Sequence, residues 1–329
     1  IRHSAGLGKA PTKSDPDIYD HQYSHCDVLV VGGGISGIIS AKLSAEKGLD
    51  TILIDDKSFL GGSTIYQENE CYKINSVNSN KWLANEIESL KNYPNLLIKN
   101  RTSLAAFHGY NYLLARENLT DHLSINERKG KVRQRLWKIR AKKVIIASGS
   151  IERPLIFSNN DRPGIILSSS IKKYIDYYGV KTGENISLFT NNDSAYETAI
   201  SLYKSGVKVN VIVDIRKNSD SLIVKEALEL GLKVLWESTV VDTQGYKRIK
   251  SFEVMKLSDD GNNVVGDRSK YNCDCLGISG GWTPMVHLFT QSGGKLKFRN
   301  DDNVFIPDEN KTPSNQISVG SCNGEFKLN

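Results

Sequence analysis

The distribution of apolar and polar residues predicts a strand, turn, helix and strand in succession near the start of the chain. An apolar strand is expected at 27–31, a helix at about 36–47 and a second strand at 51–55. Because two strands joined through a helix normally run parallel, this first block predicts a parallel β-sheet covered by that helix.

A second block with the same order of elements follows in the other half of the chain. It comprises a strand at 185–189, a helix at 195–205, a strand at 208–213, a helix at 222–230 and a strand at 233–236. The repetition predicts a second parallel sheet of the same type.

Further segments lie between the two blocks and after the second. An amphipathic helix is expected around 81–92 and an apolar strand at 143–147. Apolar and basic residues alternate with period two at 135–141, as on a strand with one solvated face. Strand-like stretches at 275–281 and 317–324 end the pattern.

The turn of the first block carries a glycine fingerprint. Gly32, Gly34 and Gly37 are spaced G-x-G-x-x-G directly after the strand, and Asp55 ends the next strand eighteen residues after Gly37. The glycines permit a tight turn, a close approach of pyrophosphate to the backbone and close packing of helix on strand. The helix N-terminus favours phosphate, and the carboxylate accepts from ribose hydroxyls. These four residues are predicted to bind a dinucleotide; the alternative is a glycine-rich turn without a ligand.

Other small or acidic residues at predicted strand ends are added to this site. They are Asp56, Gly61, Gly62, Ser148, Gly149, Gly281 and Gly320. Near Gly281, Thr283 is predicted as the N-cap of a helix and Pro284 as its first residue. Ordinary turn chemistry is the alternative for Gly61, Gly62, Ser148, Gly149 and Gly281.

The corresponding turn of the second block has lost its glycines. Thr190 and Asn192 stand where the first two glycines belong, and the Asn192 side chain would fill the space of a pyrophosphate. Asp193 is predicted to cap the helix and repel phosphate, while Asp214 keeps the acidic position. The chain is therefore predicted not to use NAD(P)H as a pyridine-nucleotide reductase does.

The order of elements predicts an α/β protein with two dinucleotide-binding domains of the Rossmann-like, FAD/NAD(P)-binding type, the second inserted in the first. We expect a linker from a preceding domain at 1–26, the first domain at 27–165, the inserted domain with its degenerate turn at 166–275, and a return to the first domain at 276–329.

The last strand bears on which dinucleotide is bound. Proteins of this type that hold FAD usually have Gly-Asp there, the carboxylate bonding the ribityl chain, whereas this chain has Gly320 followed by Ser321. The missing carboxylate favours NAD at the first site, with FAD as the alternative.

Composition limits the remaining possibilities. The chain has 329 residues, 39% of them hydrophobic and 24% charged, and its apolar runs are too short to cross a membrane. Five cysteines at irregular spacings favour a reducing compartment, the cytoplasm. Cys273 and Cys275 form C-x-C, which is neither a redox dithiol nor half of a zinc site, and no metal site is predicted. Nine of the sixteen residues at 128–143 are basic. We interpret this stretch as a solvated face or a docking surface for an acidic partner, and expect no nucleic acid.

Six segments resemble the alpha subunit of heterotetrameric sarcosine oxidases, and the likeness runs from about Ala5 to Phe326. They lie at 135–142, 150–155, 160–164, 189–196, 279–284 and 322–324. Alpha subunits of that family are much longer, with a ferredoxin-like segment before this region and a folate-binding domain after it. We therefore expect the chain to be a fragment.

The resemblance implies that the steps of the reaction take place in different subunits. Sarcosine is oxidised to glycine on an FAD in the beta subunit, electrons pass to FMN at the interface of alpha and beta, and oxygen becomes hydrogen peroxide. The one-carbon unit leaves as formaldehyde or methylene-tetrahydrofolate. Beta, gamma and delta subunits are the implied partners. This region would hold an NAD that takes no part in turnover and would contribute no catalytic residue.

Two other functions stay open from the residues alone. One is the subunit of an FAD-dependent amine or opine dehydrogenase, or a related pyridine nucleotide-disulphide oxidoreductase-like flavoprotein, although such subunits normally carry cysteine motifs for an iron–sulphur cluster. The other is a structural module with an empty site, which leaves the intact fingerprint of Gly32, Gly34 and Gly37 without a role.

Overall fold

The fold is described from a computed structural model that covers residue 6, residues 10–66 and residues 73–326. The elements up to the start of the second block are β1 (Ile18–Val31), α1 (Ile35–Glu46), β2 (Thr51–Ile54), β3 (Lys73–Ile74), β4 (Val77–Asn78), α2 (Ser79–Ser89), β5 (Leu96–Lys99), β6 (Thr102–His108), β7 (Tyr112–Asn118), α3 (Ile125–Arg128), β8 (Val132–Ile146) and β9 (Ser150–Glu152).

The second block and the end of the chain add shorter elements. They are β10 (Ile165–Leu167), α4 (Ser168–Asp176), β11 (Asn185–Thr190), α5 (Ser194–Lys204), β12 (Lys208–Asp214), α6 (Leu222–Glu229), β13 (Val234–Leu235), β14 (Ser238–Gly245), β15 (Ile249–Leu257), β16 (Val264–Asn272), β17 (Cys275–Ser279), β18 (Trp282–Pro284), α7 (His287–Gln291), β19 (Leu296–Arg299), β20 (Val304–Pro307) and β21 (Gln316–Ser318).

The first sheet has the strand order β5-β2-β1-β8-β7-β6, and β21 pairs with β8. Its central strands are parallel, while β7 pairs antiparallel with the first half of β8 and β6 pairs antiparallel with β7. Leu29 and Val30 of β1 are fully buried, as expected for a parallel sheet covered on both faces. The chain leaves this sheet after β8 and returns to it at β21, which gives the predicted class of fold.

The prediction of a linker over 1–26 is wrong for 18–26. These residues are the first part of β1 and pair with β8, from Ile18 opposite Val132 to Cys26 opposite Ala141. The strand carries polar residues on both faces, so no period-two alternation of apolar residues marks it in the sequence. Its hydrogen-bonding partner lies more than a hundred residues away, and local pattern cannot reveal such pairing.

The second sheet has the strand order β10-β17-β11-β12-β13, all parallel, and α5 contacts several of its strands. Both predicted domain boundaries cut through this sheet. The boundary at 165/166 falls inside β10, and the boundary at 275/276 falls inside β17, which pairs with β11 at the centre of the sheet. A separate antiparallel sheet, β14-β15-β16, is inserted before β17.

The prediction of a helix that begins at Thr283 is wrong. Trp282–Pro284 forms strand β18, which pairs antiparallel with β9, Pro284 lying opposite Ser150 at the end of the ladder. A two-stranded ribbon tolerates proline there because a residue at a strand end need not donate to the ladder. In the described ranges, no helix combines the length and the apolar character needed to span a membrane.

Candidate functional site

The first turn, between β1 and α1, contains two glycines whose missing side chains leave room for neighbouring backbone. Gly32 has a φ of +107°, and a Cβ there would overlap the carbonyl group of Ala147. A Cβ on Gly37 would overlap the carbonyl oxygen of Gly32. The first glycine thus allows the tight turn and the third allows helix and strand to pack closely, as the fingerprint predicts.

Gly34 differs from these two because its missing side chain faces open space. A Cβ at Gly34 would meet only the Cα of Gly62, at 3.9 Å. Gly34 is the N-cap of α1, with φ −74° and ψ −177°. Because glycine has no side chain, the helix N-terminus has no side-chain cap, and the first turn of α1 contains no acidic residue. Free space beside an uncapped and uncharged helix N-terminus fits a pyrophosphate group.

Asp55 lies at the end of the second strand and is 7% exposed. Its Oδ2 accepts a hydrogen bond from the backbone N–H of Gly33 at 2.6 Å, and its Oδ1 accepts from the backbone N–H of Lys57 at 2.8 Å. Burial raises the pKa of the Asp55 carboxyl, and these two hydrogen bonds oppose that rise. The neighbouring Asp56 is exposed, so the structure gives the two adjacent acids different surroundings.

Two of the added glycines pack against the first turn. The N–H of Gly61 donates to the carbonyl of Gly33 at 2.7 Å, and a Cβ on Gly62 would lie 2.9 Å from the Cα of Gly34. Leu60 lies against Gly33, where a Cβ would be 2.5 Å from Leu60 Cδ2. Gly33 was missed in the sequence, although it completes an unbroken run of three glycines.

The segments after β8 and β21 reach the same place. A Cβ on Gly320 would overlap Ser36, at the start of α1, and a Cβ on Gly149 would lie 3.9 Å from Ser321 Oγ. Ser148 donates a hydrogen bond to the carbonyl of Met285 at 2.8 Å. Strand ends distant in sequence therefore surround the first turn.

Gly281 does not join this group. Its missing Cβ faces the Arg153 guanidinium at 3.1 Å. It lies on the β9–β18 side, where the backbone N–H of Arg153 donates to the carbonyl of Gly281 at 2.8 Å. Nearby Glu152, which was missed in the sequence, is a buried acid that accepts from the Ser169 N–H at 2.7 Å. Burial raises the pKa of Glu152, while hydrogen bonds from Ser279 and Ser169 lower it.

The second turn, between β11 and α5, is satisfied by its own side chains. Asn192 Oδ1 accepts from the N–H of Ser194 at 3.0 Å, and Asn192 Nδ2 donates to Ser279 Oγ at 3.0 Å. Thr190 Oγ1 accepts from the N–H of Asn192 at 3.1 Å. The groups that would bind phosphate in an intact turn are therefore already occupied.

The prediction that Asp193 caps this helix is wrong. Asp193 makes no side-chain cap; its Oδ1 accepts from Arg216 Nη1 at 2.7 Å and from Ser219 Oγ at 3.0 Å. Arg216 Nη2 also bonds Asp214 Oδ2 at 2.8 Å, and Tyr196 OH donates to that same carboxylate at 2.8 Å. Asp214, the acid in the position that would accept from a ribose, is thus paired with a cation and buried. This strengthens the inference that the second turn binds no nucleotide.

The cysteines of the described ranges are free and buried, and Cys71 lies outside the described residues. Burial, chiefly, raises the pKa of Cys26 and of Cys273 to about 12, which keeps both as unreactive thiols at neutral pH. Among the described side chains, no group of three or more His, Cys, Asp and Glu is placed to hold a metal ion.

The chain belongs to the pyridine nucleotide-disulphide oxidoreductase family, whose family model matches residues 26–325. The fold agrees: thioredoxin reductase from T. acidophilum superposes with a TM-score of 0.66 at 19% identity, covering 92% of each chain. This class of α/β oxidoreductases binds nucleotides in Rossmann-like domains.

Within that class, the chain is homologous to sarcosine oxidase subunit alpha, which confirms the resemblance drawn from sequence segments. It is 35% identical to the Corynebacterium sp. (strain P-1) subunit over 98% of this chain and 33% of that protein. It is 33% identical to the Rhizobium meliloti (strain 1021) subunit over 93% of this chain and 29% of that protein. The chain thus spans about a third of the length of these relatives.

Proposed function

We propose that this chain is the dinucleotide-binding part of a sarcosine oxidase alpha subunit, holding NAD at the first turn as a fixed component. The observation that carries the proposal is the contrast between the two turns. Gly34 leaves space before an uncapped helix, whereas Asn192 fills the equivalent space and bonds the helix N-terminus itself. Of the two Rossmann-like domains, one is equipped for a dinucleotide.

The residues of the first turn have distinct roles in this proposal. The N-terminus of α1, beginning after Gly34, would bind the pyrophosphate, and Asp55 would orient a ribose while its bond to Gly33 holds the turn. When bound, NAD would stabilise the folded chain and would not transfer a hydride during turnover. Asp56, Gly61, Gly62, Ser148, Gly149 and Gly320 would line the same site, and Gly281 lies apart.

The reaction itself would take place outside this chain. Sarcosine, water and oxygen would give glycine, formaldehyde and hydrogen peroxide. Where tetrahydrofolate takes the one-carbon unit, sarcosine, tetrahydrofolate and oxygen would give glycine, methylene-tetrahydrofolate and hydrogen peroxide. We assign the FAD to the beta subunit and FMN to the interface with it, with gamma and delta subunits completing the complex. The buried free thiols support a reducing compartment, and we place the complex in the cytoplasm.

The residue at one sequence position favours NAD over FAD. Ser321 follows Gly320 where FAD-holding proteins of this type have aspartate, and its hydroxyl lies beside Gly149 at the first turn. A hydroxyl cannot supply the charge-assisted hydrogen bond that a carboxylate gives to a ribityl chain.

The test is to release the nucleotide from the purified chain with acid and to identify it by mass spectrometry. NAD at about one equivalent is expected, and FAD would overturn the assignment. Gly34→Val should lose the nucleotide because its side chain enters the pyrophosphate space. Gly109→Val, at a glycine where an added Cβ would meet nothing within 4 Å, should retain it.

A further inference from the structure

The first half of β1 forms a free sheet edge. Residues 18–26 pair with β8 on one side, whereas β2 pairs only with residues 28–31 on the other side. Within the described residues, no strand or turn bonds the outer edge of 18–26. The edge is long and contains no proline, and proteins normally cover or interrupt edges of this kind.

The solvent-facing side of the sheet beside this edge is rich in cations and aromatic rings. We call it the cationic face. Its side chains come from adjacent strands in register: His21, Tyr23 and His25 of β1, Leu136, Lys138 and Arg140 of β8, and Tyr112, Leu114 and Arg116 of β7. The opposite face carries Trp137 and Ile139 into the core. None of the nine side chains of the cationic face is a carboxylate.

Charge pairing separates this face from the rest of the basic segment at 128–143. Arg133 pairs with Asp17 and Asp121, and Arg135 with Asp20, so these arginines are already neutralised. The predicted docking surface therefore does not extend over the whole segment.

Two cations of the cationic face contact aromatic rings instead. The Lys138 ammonium lies 4.9 Å from the centre of the Tyr23 ring, and the Arg140 guanidinium lies 5.1 Å from the centre of the Tyr112 ring. No salt bridge to Lys138, Arg140 or Arg116 forms among the described residues. Cation–π contacts orient these groups without cancelling their charge.

We infer that the free edge and the cationic face together bind an extended, carboxylate-bearing segment of a partner subunit. A segment that adds to β1 as a new strand would satisfy the backbone of 18–26. Every second side chain of that strand would lie on the same side of the sheet as the cationic face, beside Tyr23. Carboxylates there would be nearest to Lys138, which contacts the Tyr23 ring, while Arg140 on β8 and Arg116 on β7 add positive potential from farther across the sheet. A nucleic acid would match the cations but not the backbone edge. The inference rests on the proposed function, because it is the proposed assembly that supplies the partner.

The experiment measures binding of this chain to the beta subunit from the same source, by titration at low and high salt. The test variant is Arg116→Glu/Lys138→Glu/Arg140→Glu. The control is Lys217→Glu/Lys225→Glu/Lys247→Glu, which makes the same change in charge at exposed positions of the second domain. We expect the test variant to bind about 100-fold more weakly and the control to bind like the wild type. Hydrogen exchange should show amides of 18–26 becoming protected in the wild-type complex.

The outcomes separate this inference from the proposed function. Wild-type binding that the test variant retains, or binding without protection at 18–26, would overturn the docking surface alone. A wild-type chain that does not bind the beta subunit would overturn the proposed assembly as well. Binding of a single-stranded RNA 20-mer through the same cations, with beta binding unaffected by their reversal, would assign the face to nucleic acid instead.

Discussion

The Asp55 carboxylate holds the glycine turn through the backbone N–H of Gly33, 2.6 Å away, twenty-two residues earlier in the chain. The fingerprint predicts that this acid accepts from a ribose. In the structure, each oxygen of the Asp55 carboxylate also accepts a hydrogen bond from a backbone N–H, and these bonds fix one side of the site. Ligand recognition and turn geometry therefore depend on the same side chain.

Replacing Asp55 by alanine should reduce the nucleotide carried by the purified chain at least about tenfold, because the Gly33 N–H loses its charged acceptor. Asp56→Ala is the matched control, since Asp56 is adjacent but exposed, and should change the content less than about twofold. Acid release and quantitative mass spectrometry measure both variants. Equal loss in the two would show that Asp55 has no special role.

Gly37→Ala should destabilise the folded chain by about 2–3 kcal/mol, because the added methyl group would overlap the Gly32 carbonyl oxygen. Gly109→Ala, where the methyl group meets open space, is the control and should change stability little. Urea unfolding followed by tryptophan fluorescence gives both values. A Gly37 variant as stable as the control would contradict the close packing of α1 on β1.

Asn192→Ala should lower the free energy of unfolding by about 1 kcal/mol, because helix α5 loses the acceptor of the Ser194 N–H. Ser205→Ala, at the exposed other end of that helix, should have little effect. The variant should still fail to oxidise NADPH, since Arg216 continues to occupy Asp214. NADPH oxidation by this variant would mean that Asn192 alone closes the second site.

Glu152→Gln should become progressively more stable than the wild type as the pH rises from about 4.5 to 7. Burial raises the folded-state pKa of Glu152 above its unfolded value, so the wild type loses stability as this carboxyl ionises. Glutamine keeps an acceptor for the Ser169 N–H and has no charge to bury. Thermal unfolding across this pH range measures the difference, and a constant or shrinking difference would contradict it.

The sequence alone determined those features that depend on short-range rules. The β1–α1–β2 block was predicted at 27–31, 36–47 and 51–55, and its turn was recognised because Gly32 and Gly37 satisfy steric requirements set by near neighbours in the chain. The second block was predicted as accurately, because its strands are buried runs and its helices amphipathic. The loss of its nucleotide turn followed from residue size at Asn192.

Tertiary structure decided what depends on partners distant in the chain. The strand at 18–26 exists because β8 pairs with it, and a local pattern without alternating apolar residues could not indicate that. Trp282–Pro284 is a strand because β9 lies opposite, although Thr-Pro favours a helix start locally. Asp193 pairs with Arg216, twenty-three residues later in the chain, instead of capping its own helix, because folding brings the two turns together. The free energy of pairing between remote strands outweighs the weak conformational preferences of single residues, on which predictions from sequence depend. Only the folded chain brings those strands together.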